Sequence, residues 1–295
     1  GLSTMKAYQL KVVSAEVLGY HRPAFCRNPM PPSPCLARRS ALGLLSALAL
    51  PGLAFGQAPA DEFAADWQAF RGRYLAPEGR VVDSGNKGVS HSEGQGYGLL
   101  AAVRADDRAS FDRMLAWTRR TLKRPRDMLH AWRFQPDAAN PVNDPNNATD
   151  GDLFIAWSLL EAHRRWGNAE HGAMAGAIGR DVLKHLVRRS AGYTVLLPGA
   201  RGFDRRERTI INPSYYAFPA LRALAQAVPD PAWVRLGADG LALLRAARFG
   251  KWRLPPDWVA LAKPDGTLSL PDNHPPRFSY DAVRVPLYLA WARLG

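Results

Sequence analysis

The sequence predicts an all-α fold of paired helices, a bundle or a barrel, from three observations. Apolar residues recur at three- and four-residue spacing through most of the chain beyond residue 60. Gly and Pro mark the joins, at Pro125, Pro136, Pro141, Pro145, Gly192 and Pro229. Only two short runs, 193–197 and 80–83, read as strands. Eight helices in about 235 residues suit one domain.

In chain order, 61–74 carries Phe63, Trp67 and Phe70 on one face, the spacing of an amphipathic helix. The helix at 92–104 opens on Ser90 and Glu93, three residues apart. That is a capping-box spacing, in which each side chain meets a free amide at a helix start. The helix at 107–123 stops before Pro125. Thr149 and Asp152 repeat the capping-box spacing before 150–167, whose core face is Leu153, Ala156, Trp157 and Leu160. The helix at 170–189 ends near Gly192. Asn212 and Pro213 open 213–227 as cap and first helical residue. Pro229 separates it from 231–248. The last helix, 281–293, holds Asp281 three residues from Arg284, within reach on one face. Pro286 removes one backbone donor there. The long polar connections 124–149, 198–212 and 250–279 are where function is expected.

Upstream, residues 44–55 (LLSALALPGLAF) form an apolar run. It is shorter than the roughly 20 residues a bilayer span needs. Arg38 and Arg39 precede it and small residues follow, the pattern of a signal peptide at 30–57. Whether export uses the general or the twin-arginine route stays open. Residues 1–29 read as upstream translation without ordered structure. The remainder, 58–295, is expected to be the functional domain, soluble and exported to the periplasm or beyond, without a membrane span. Both cysteines, Cys26 and Cys35, precede the expected cleavage point. Disulfides, thiol catalysis and Cys-ligated metals are then excluded.

The chain carries a net charge of +13. Without its leader it keeps 33 Lys/Arg against 25 Asp/Glu, about +8. The arginines are scattered along helices and no nucleic-acid motif appears, so no nucleic-acid partner is expected. The seven histidines show no metal-binding spacing. No nucleophile elbow or phosphate loop occurs, and Gly94, Gly96 and Gly98 do not follow a strand as a dinucleotide fingerprint requires. No metal or cofactor is expected.

What remains is carboxylate chemistry. Glu93, the pair Asp150 and Asp152, and Asp281 all stand at helix starts. Capping and the helix dipole account for an acid at such a place without any function. They do not account for three glycines in five positions after Glu93. Each costs a helix about 1 kcal/mol, so a substrate or a neighbouring helix must come close to that backbone. Arg284 favours an ionised Asp281, which suits a base and equally a plain ion pair. If the helices are parallel staves, their starts converge and the acids face each other across a cleft. Trp132, Trp252 and Trp258 lie in the long connections, placed either to line a sugar groove or to pin the loops.

Together these units resemble glycoside hydrolase family 8, most closely its endoglucanases encoded with bacterial cellulose synthase. The segment ATDGDLFIAWSLLEAHRRW, 148–166, is similar to the family signature along its length. SEGQGYGLL, NPSYY, PDWV at Asp257 and SYDAVR occur in the family's order. The resemblance covers about 66–291. It implies an (α/α)6 barrel and inverting hydrolysis of β-1,4-glucan, with Glu93 as acid, Asp281 as base and Asp150 holding the sugar. Asp152, Tyr97, Trp132, Tyr216, Trp258 and Arg284 are expected to bind substrate around them, although Asp152, at the third helical position, equally suits a purely structural role at the helix start. The partners the resemblance implies are a cellulose chain and the cellulose synthase machinery. The chain ends soon after the Asp281 helix, so the closing part of a six-pair barrel is expected to be absent. Two alternatives follow: a non-catalytic glucan-binding component, or a hydrolase of another β-1,4 polymer such as chitosan or xylan.

Overall fold

The computed structural model describes residues 59–294. The leader, its cleavage point and both cysteines lie outside the described residues. All eight expected helices are present: α1 Pro59–Tyr74, α2 Ser92–Arg104, α3 Arg108–Leu122, α4 Thr149–Trp166, α5 Ala169–Leu186, α6 Phe218–Ala227, α7 Pro231–Ala246 and α8 Arg284–Trp291.

Burial separates the helices into two layers. In α2 every residue from Gly94 to Val103 is buried, and in α4 every residue from Thr149 to Leu160. Helices buried all round belong inside. The helix α3 buries one stripe, Ser110, Phe111, Met114, Leu115, Trp117, Thr118 and Leu122, and turns its arginines outward. It backs α2 as α5 backs α4 and α7 backs α6. The inner helices α2, α4 and α6 pack in sequence, and α8 rests on α6. Among the described residues this makes an open arc of paired helices, not a closed barrel. One continuous core fills it, from Trp67 and Phe70 through Leu153 and Phe154 to Leu224 and Tyr288.

The connections hold more sheet than the sequence suggests. β1 Ser90–His91 pairs with β2 Arg133–Phe134. β3 Val187–Ser190 pairs with β4 Tyr193–Leu196. β5 Arg208–Ile211, β6 Val259–Ala262 and β7 Leu268–Ser269 form a three-stranded antiparallel sheet over a small second core. Of the two expected strands, 193–197 is β4. The run 80–83 has only isolated bridges, Leu75 to Val81 and Asp83 to Val89.

Three helix boundaries move, each for a local reason. α5 stops at Leu186 because Ala191 and Gly192 both take positive φ, 47° and 84°, and fold 187–196 into a hairpin. The helix expected from 213 begins as a 3-10 turn, Pro213–Tyr215, capped by Asn212. The α-helix proper starts at Phe218, with Pro219 in its first turn. α8 begins at Arg284, not 281, which puts Pro286 in the first turn, where its missing donor would have had no helical partner.

Neither expected capping box forms. Ser90 Oγ donates to the Val81 carbonyl at 2.6 Å, and Thr149 Oγ1 to the Leu197 carbonyl at 2.6 Å. The residues that cap α2 and α4 are His91 and Ala148, neither with a side-chain cap bond. The acids of those two first turns are therefore not held by capping.

Candidate active site

The starts of α2, α4 and α8 and the 3-10 turn before α6 meet at one end of the arc. What brings α2 and α4 so close is glycine. A Cβ on Gly151 would stand 2.3 Å from Ser92 Oγ and 2.8 Å from the Glu93 amide. A Cβ on Gly96 would stand 2.7 Å from Phe154 Cβ. The close approach expected from the glycine run is thus helix against helix, and it sets Glu93 beside Asp150.

Arg284 is the hub. It is buried, and its guanidinium meets three carboxylates. Nη1 donates to Glu93, to Asp150 Oδ2 at 3.2 Å and to Tyr97 Oη at 3.1 Å. Nη2 donates to Asp281 Oδ1 at 2.8 Å and to Ser214 Oγ at 2.9 Å. Asn212 Nδ2 donates to the other Asp281 oxygen at 3.0 Å, and the Gly151 amide donates to Asp150 Oδ1 at 2.8 Å. Asp257 shapes the turn that carries Asp281. Its Oδ1 accepts from the amides of Ser279 and Ala282, both at 2.9 Å.

These groups line a cleft of about 160 Å³. Glu93, Asp150, Asp281 and Arg284 form one part, and His91, Trp132 and Tyr215 the aromatic part. The Trp132 indole lies over His91, ring centres 5.7 Å apart, and its Nε1 donates to Asp144 at 2.9 Å.

Electrostatics follow from that grouping. Three carboxyls share one guanidinium, and like charges packed together resist full ionisation. Burial lowers Arg284 from its ordinary value, yet a guanidinium stays charged in proteins. Burial first, and then Asp150 and Asp281 among its neighbours, push the Tyr215 phenol well above its ordinary range. Tyr97 is raised in the same way by burial, then by Tyr288, Asp150 and Asp281. Both phenols therefore remain neutral. Among the described residues no cluster of His, Cys, Asp and Glu could hold a metal ion.

Not every expected residue reaches the cleft. Glu93, Asp150, Asp281, Arg284 and Trp132 do. Tyr97 stands behind Arg284, its hydroxyl bonded to that of Tyr288. Asp152 is sealed in the protein. Its Oδ1 accepts from the His130 amide and from His130 Nδ1, both at 2.9 Å, and its Oδ2 from Asn147 Nδ2 at 2.9 Å. Tyr216 is buried, with its hydroxyl bonded to the Leu196 amide at 3.2 Å and its ring against Gly240. Its neighbour Tyr215 faces the cleft instead, because a 3-10 turn there replaces an α-helix. Trp258 stacks on Phe203, ring centres 5.8 Å apart, and adjoins Tyr215 at 6.4 Å without lining the cleft. Trp252 is 74% exposed in the turn at 250–254 and takes no part. Sequence reading gave no role to Ser214 or to His91, although His91 stands beside Glu93, and it treated Asn212 only as a cap.

The profile of Glycosyl hydrolases family 8 matches residues 37–294. The chain is 48% identical over 241 residues to a probable endoglucanase of Novacetimonas hansenii, covering 82% of this chain and 70% of that protein. It is 44% identical over 225 residues to an endoglucanase of Cellulomonas uda, covering 76% of this chain and 62% of that one. Among solved structures, endo-beta-1,4-glucanase CMCax from Acetobacter xylinum superposes with a TM-score of 0.78 at 48% identity, over 80% of this chain and 74% of that chain. The family 8 endoglucanase Cel10 from Klebsiella pneumoniae gives 0.75 at 44% identity, over 77% and 73%.

Proposed function

This chain belongs to glycosyl hydrolase family 8, and from that premise we propose that it is an inverting endo-β-1,4-glucanase acting on cellulose. One observation carries the reading: Glu93 and Asp281 bind the two terminal nitrogens of a single buried guanidinium, with Asp150 on the same nitrogen as Glu93, on the wall of one cleft.

Inverting hydrolysis needs a carboxylic acid to protonate the leaving oxygen and a carboxylate about 6.5–9.5 Å away to activate water. Glu93 and Asp281 accept from the two terminal nitrogens of Arg284, so one side chain sets where both acids stand. Asp281 takes the base role. Donors from Arg284 and Asn212 hold both its oxygens as acceptors. Glu93 takes the acid role, at the side of the trio where negative charge is most crowded. Asp150 fixes the sugar at the scissile bond, and Trp132, stacked with His91 and Arg133, lines the cleft wall with Tyr215. Among the described residues no helix is long and apolar enough to cross a membrane. We place the protein in the periplasm or outside the cell, from the leader-like run at 44–55. A link to cellulose synthesis rests on the likeness of its motifs to the endoglucanases encoded with the synthase.

Glu93→Gln and Asp281→Asn test the assignment on soluble carboxymethylcellulose. Each removes a proton-transfer group, and a loss of about 10²–10⁴-fold in kcat is expected. Product from the wild-type chain should appear first as the α-anomer by NMR. Turnover by Glu93→Gln at the wild-type rate removes Glu93 from the acid role, and a β-anomer removes the inverting mechanism.

A further inference from the structure

Asp152 is conspicuous for what it does not do. It is a carboxylate with no exposure, two residues from a cleft acid, and it faces neither the cleft nor an arginine. Burying such a group is costly unless its oxygens are satisfied. Here three donors satisfy them: the His130 amide, His130 Nδ1 and Asn147 Nδ2. A carboxylate only accepts, so the ring proton of His130 sits on Nδ1. Asn147 is fixed in turn, since its Oδ1 accepts from the Ala200 amide at 2.7 Å and from Arg124 Nη1 at 3.2 Å. The amide of Asn147 therefore cannot flip without losing both.

The two residues Asp152 holds lead directly to the cleft. Two residues beyond His130 comes Trp132, whose amide donates to the Asn146 carbonyl at 2.9 Å. The Trp132 carbonyl accepts from the Ser92 amide at 3.0 Å, immediately before Glu93. Strands β1 and β2 continue the same join through His91 and Arg133. A chain of bonds thus runs from the start of α4, through the 130–134 segment, to the start of α2. It ties the start of α4 to the start of α2 and sets Trp132 on the wall of the cleft that Asp150 and Glu93 line.

We propose that Asp152, acting through His130 and Asn147, is a positioning residue that fixes Trp132 and the Glu93 end of α2 against Asp150. It touches no substrate. The proposal rests on the glucanase reading above, and it moves Asp152 from sugar contact to support.

An exchange of partners tests it. Asp152→Asn sets an amide nitrogen against the Asn147 amide nitrogen, two donors facing each other. Adding Asn147→Asp reverses the pair: the new carboxylate accepts from the new amide and still from Arg124 and Ala200. A misplacement of about 1 Å costs on the order of a hundredfold in rate. Asp152→Asn should show that loss in kcat and a raised KM, and the exchanged double variant should recover most of both. His130→Asn, whose amide nitrogen can stand where Nδ1 stood, should keep activity that His130→Ala loses. A folded Asp152→Asn with the wild-type kcat overturns the proposal. So does a double variant that recovers its melting temperature but not its kcat, because that is support without positioning. If Asp152→Asn does not fold, equal kcat in the two His130 variants overturns it. A wild-type chain that cuts no β-1,4-glucan sinks the functional reading alone, and recovery of melting temperature in the exchanged variant still tests the bond pattern.

Discussion

Asp150 and Asp152 stand two residues apart on one helix and end in opposite regions. Asp150 joins Glu93 and Asp281 around Arg284, where the cleft opens. Asp152 points into a closed network of donors from His130 and Asn147. Two residues along an α-helix is a turn of roughly 200°, so a cap-like pair of acids cannot share a face. The open cluster has more negative charge than its one cation balances, and has water beside it. The closed one is balanced donor for acceptor. A protein can use the same residue type to drive a reaction and to hold the reacting groups in place. What separates the two uses is whether the acid faces the cleft or is enclosed by donors that leave no oxygen unsatisfied.

Removing the cation tests that distinction most severely. Arg284→Met leaves three carboxyls around an apolar side chain. Breaking a buried ionic cluster by deleting one partner costs about 3–5 kcal/mol. The effect should fall near the lower end, since the Glu93 and Asp281 side chains keep 14% and 20% of their exposure and can take up protons. The sign of the pH effect is fixed. Without the guanidinium the carboxyls hold protons to higher pH, so the acidic limb of the kcat profile should move upward. Asp152→Asn should leave that limb in place while lowering the plateau. A profile unmoved by Arg284→Met would mean that the trio is not set by this cation.

The geometry of the pair can be disturbed without touching any charge. Gly151→Ala drives a methyl into Ser92 and the Glu93 amide. Overpacking of this kind costs about 1–3 kcal/mol. Because the strain falls between the Glu93 and Asp150 helix starts, kcat should drop with stability. Gly237→Ala on α7 is the matched control, with nothing within 4 Å of its Cβ. There the change should raise stability by up to about 1 kcal/mol and leave kcat alone. A drop in melting temperature for Gly151→Ala with full kcat would break the link between the helix contact and the site.

The sequence carried the helices well, because their signal is long: eight periodic segments, with ends blurred only where Pro or a hairpin intervened. It carried the cleft acids through motif order rather than through local pattern. Capping spacing assigned Ser90 and Thr149 to bonds they do not make, because the Val81 and Leu197 carbonyls lie nearer in the folded chain. The sheet at 208–269 escaped because its strands are two to four residues long. Tyr215 and Tyr216 could not be told apart without knowing that the turn is 3-10. Asp152 was assigned to the sugar although helix periodicity already turns it about 200° from Asp150, and which of the two faces the cleft was legible only in the fold.

A third helix-start acid gives the smallest effect and a clean contrast to both clusters. Asp107 does cap its helix. Its Oδ1 accepts from the Ser110 amide at 3.0 Å, and its Oδ2 from Trp67 Nε1 at 3.1 Å and Arg71 Nη1 at 2.8 Å. Burial alone would push its carboxyl up, but the Ser110, Trp67 and Arg71 bonds outweigh burial and hold it below its ordinary value. A lowered carboxyl stabilises the fold above the unfolded value, about 3.9, and that gain is lost as pH falls through the lower folded value. Asp107→Asn keeps an oxygen for the Ser110 amide and gives up the charge facing Arg71. That pair is partly solvated, so the loss should be about 0.5–1 kcal/mol at neutral pH. Melting curves of the two proteins should converge in acid as the wild-type carboxyl protonates, while kcat stays unchanged throughout. A gap of constant size from neutral pH into acid would mean that the bonds matter and the charge does not, which would bring Asp107 closer to Asp152 than to Asp150.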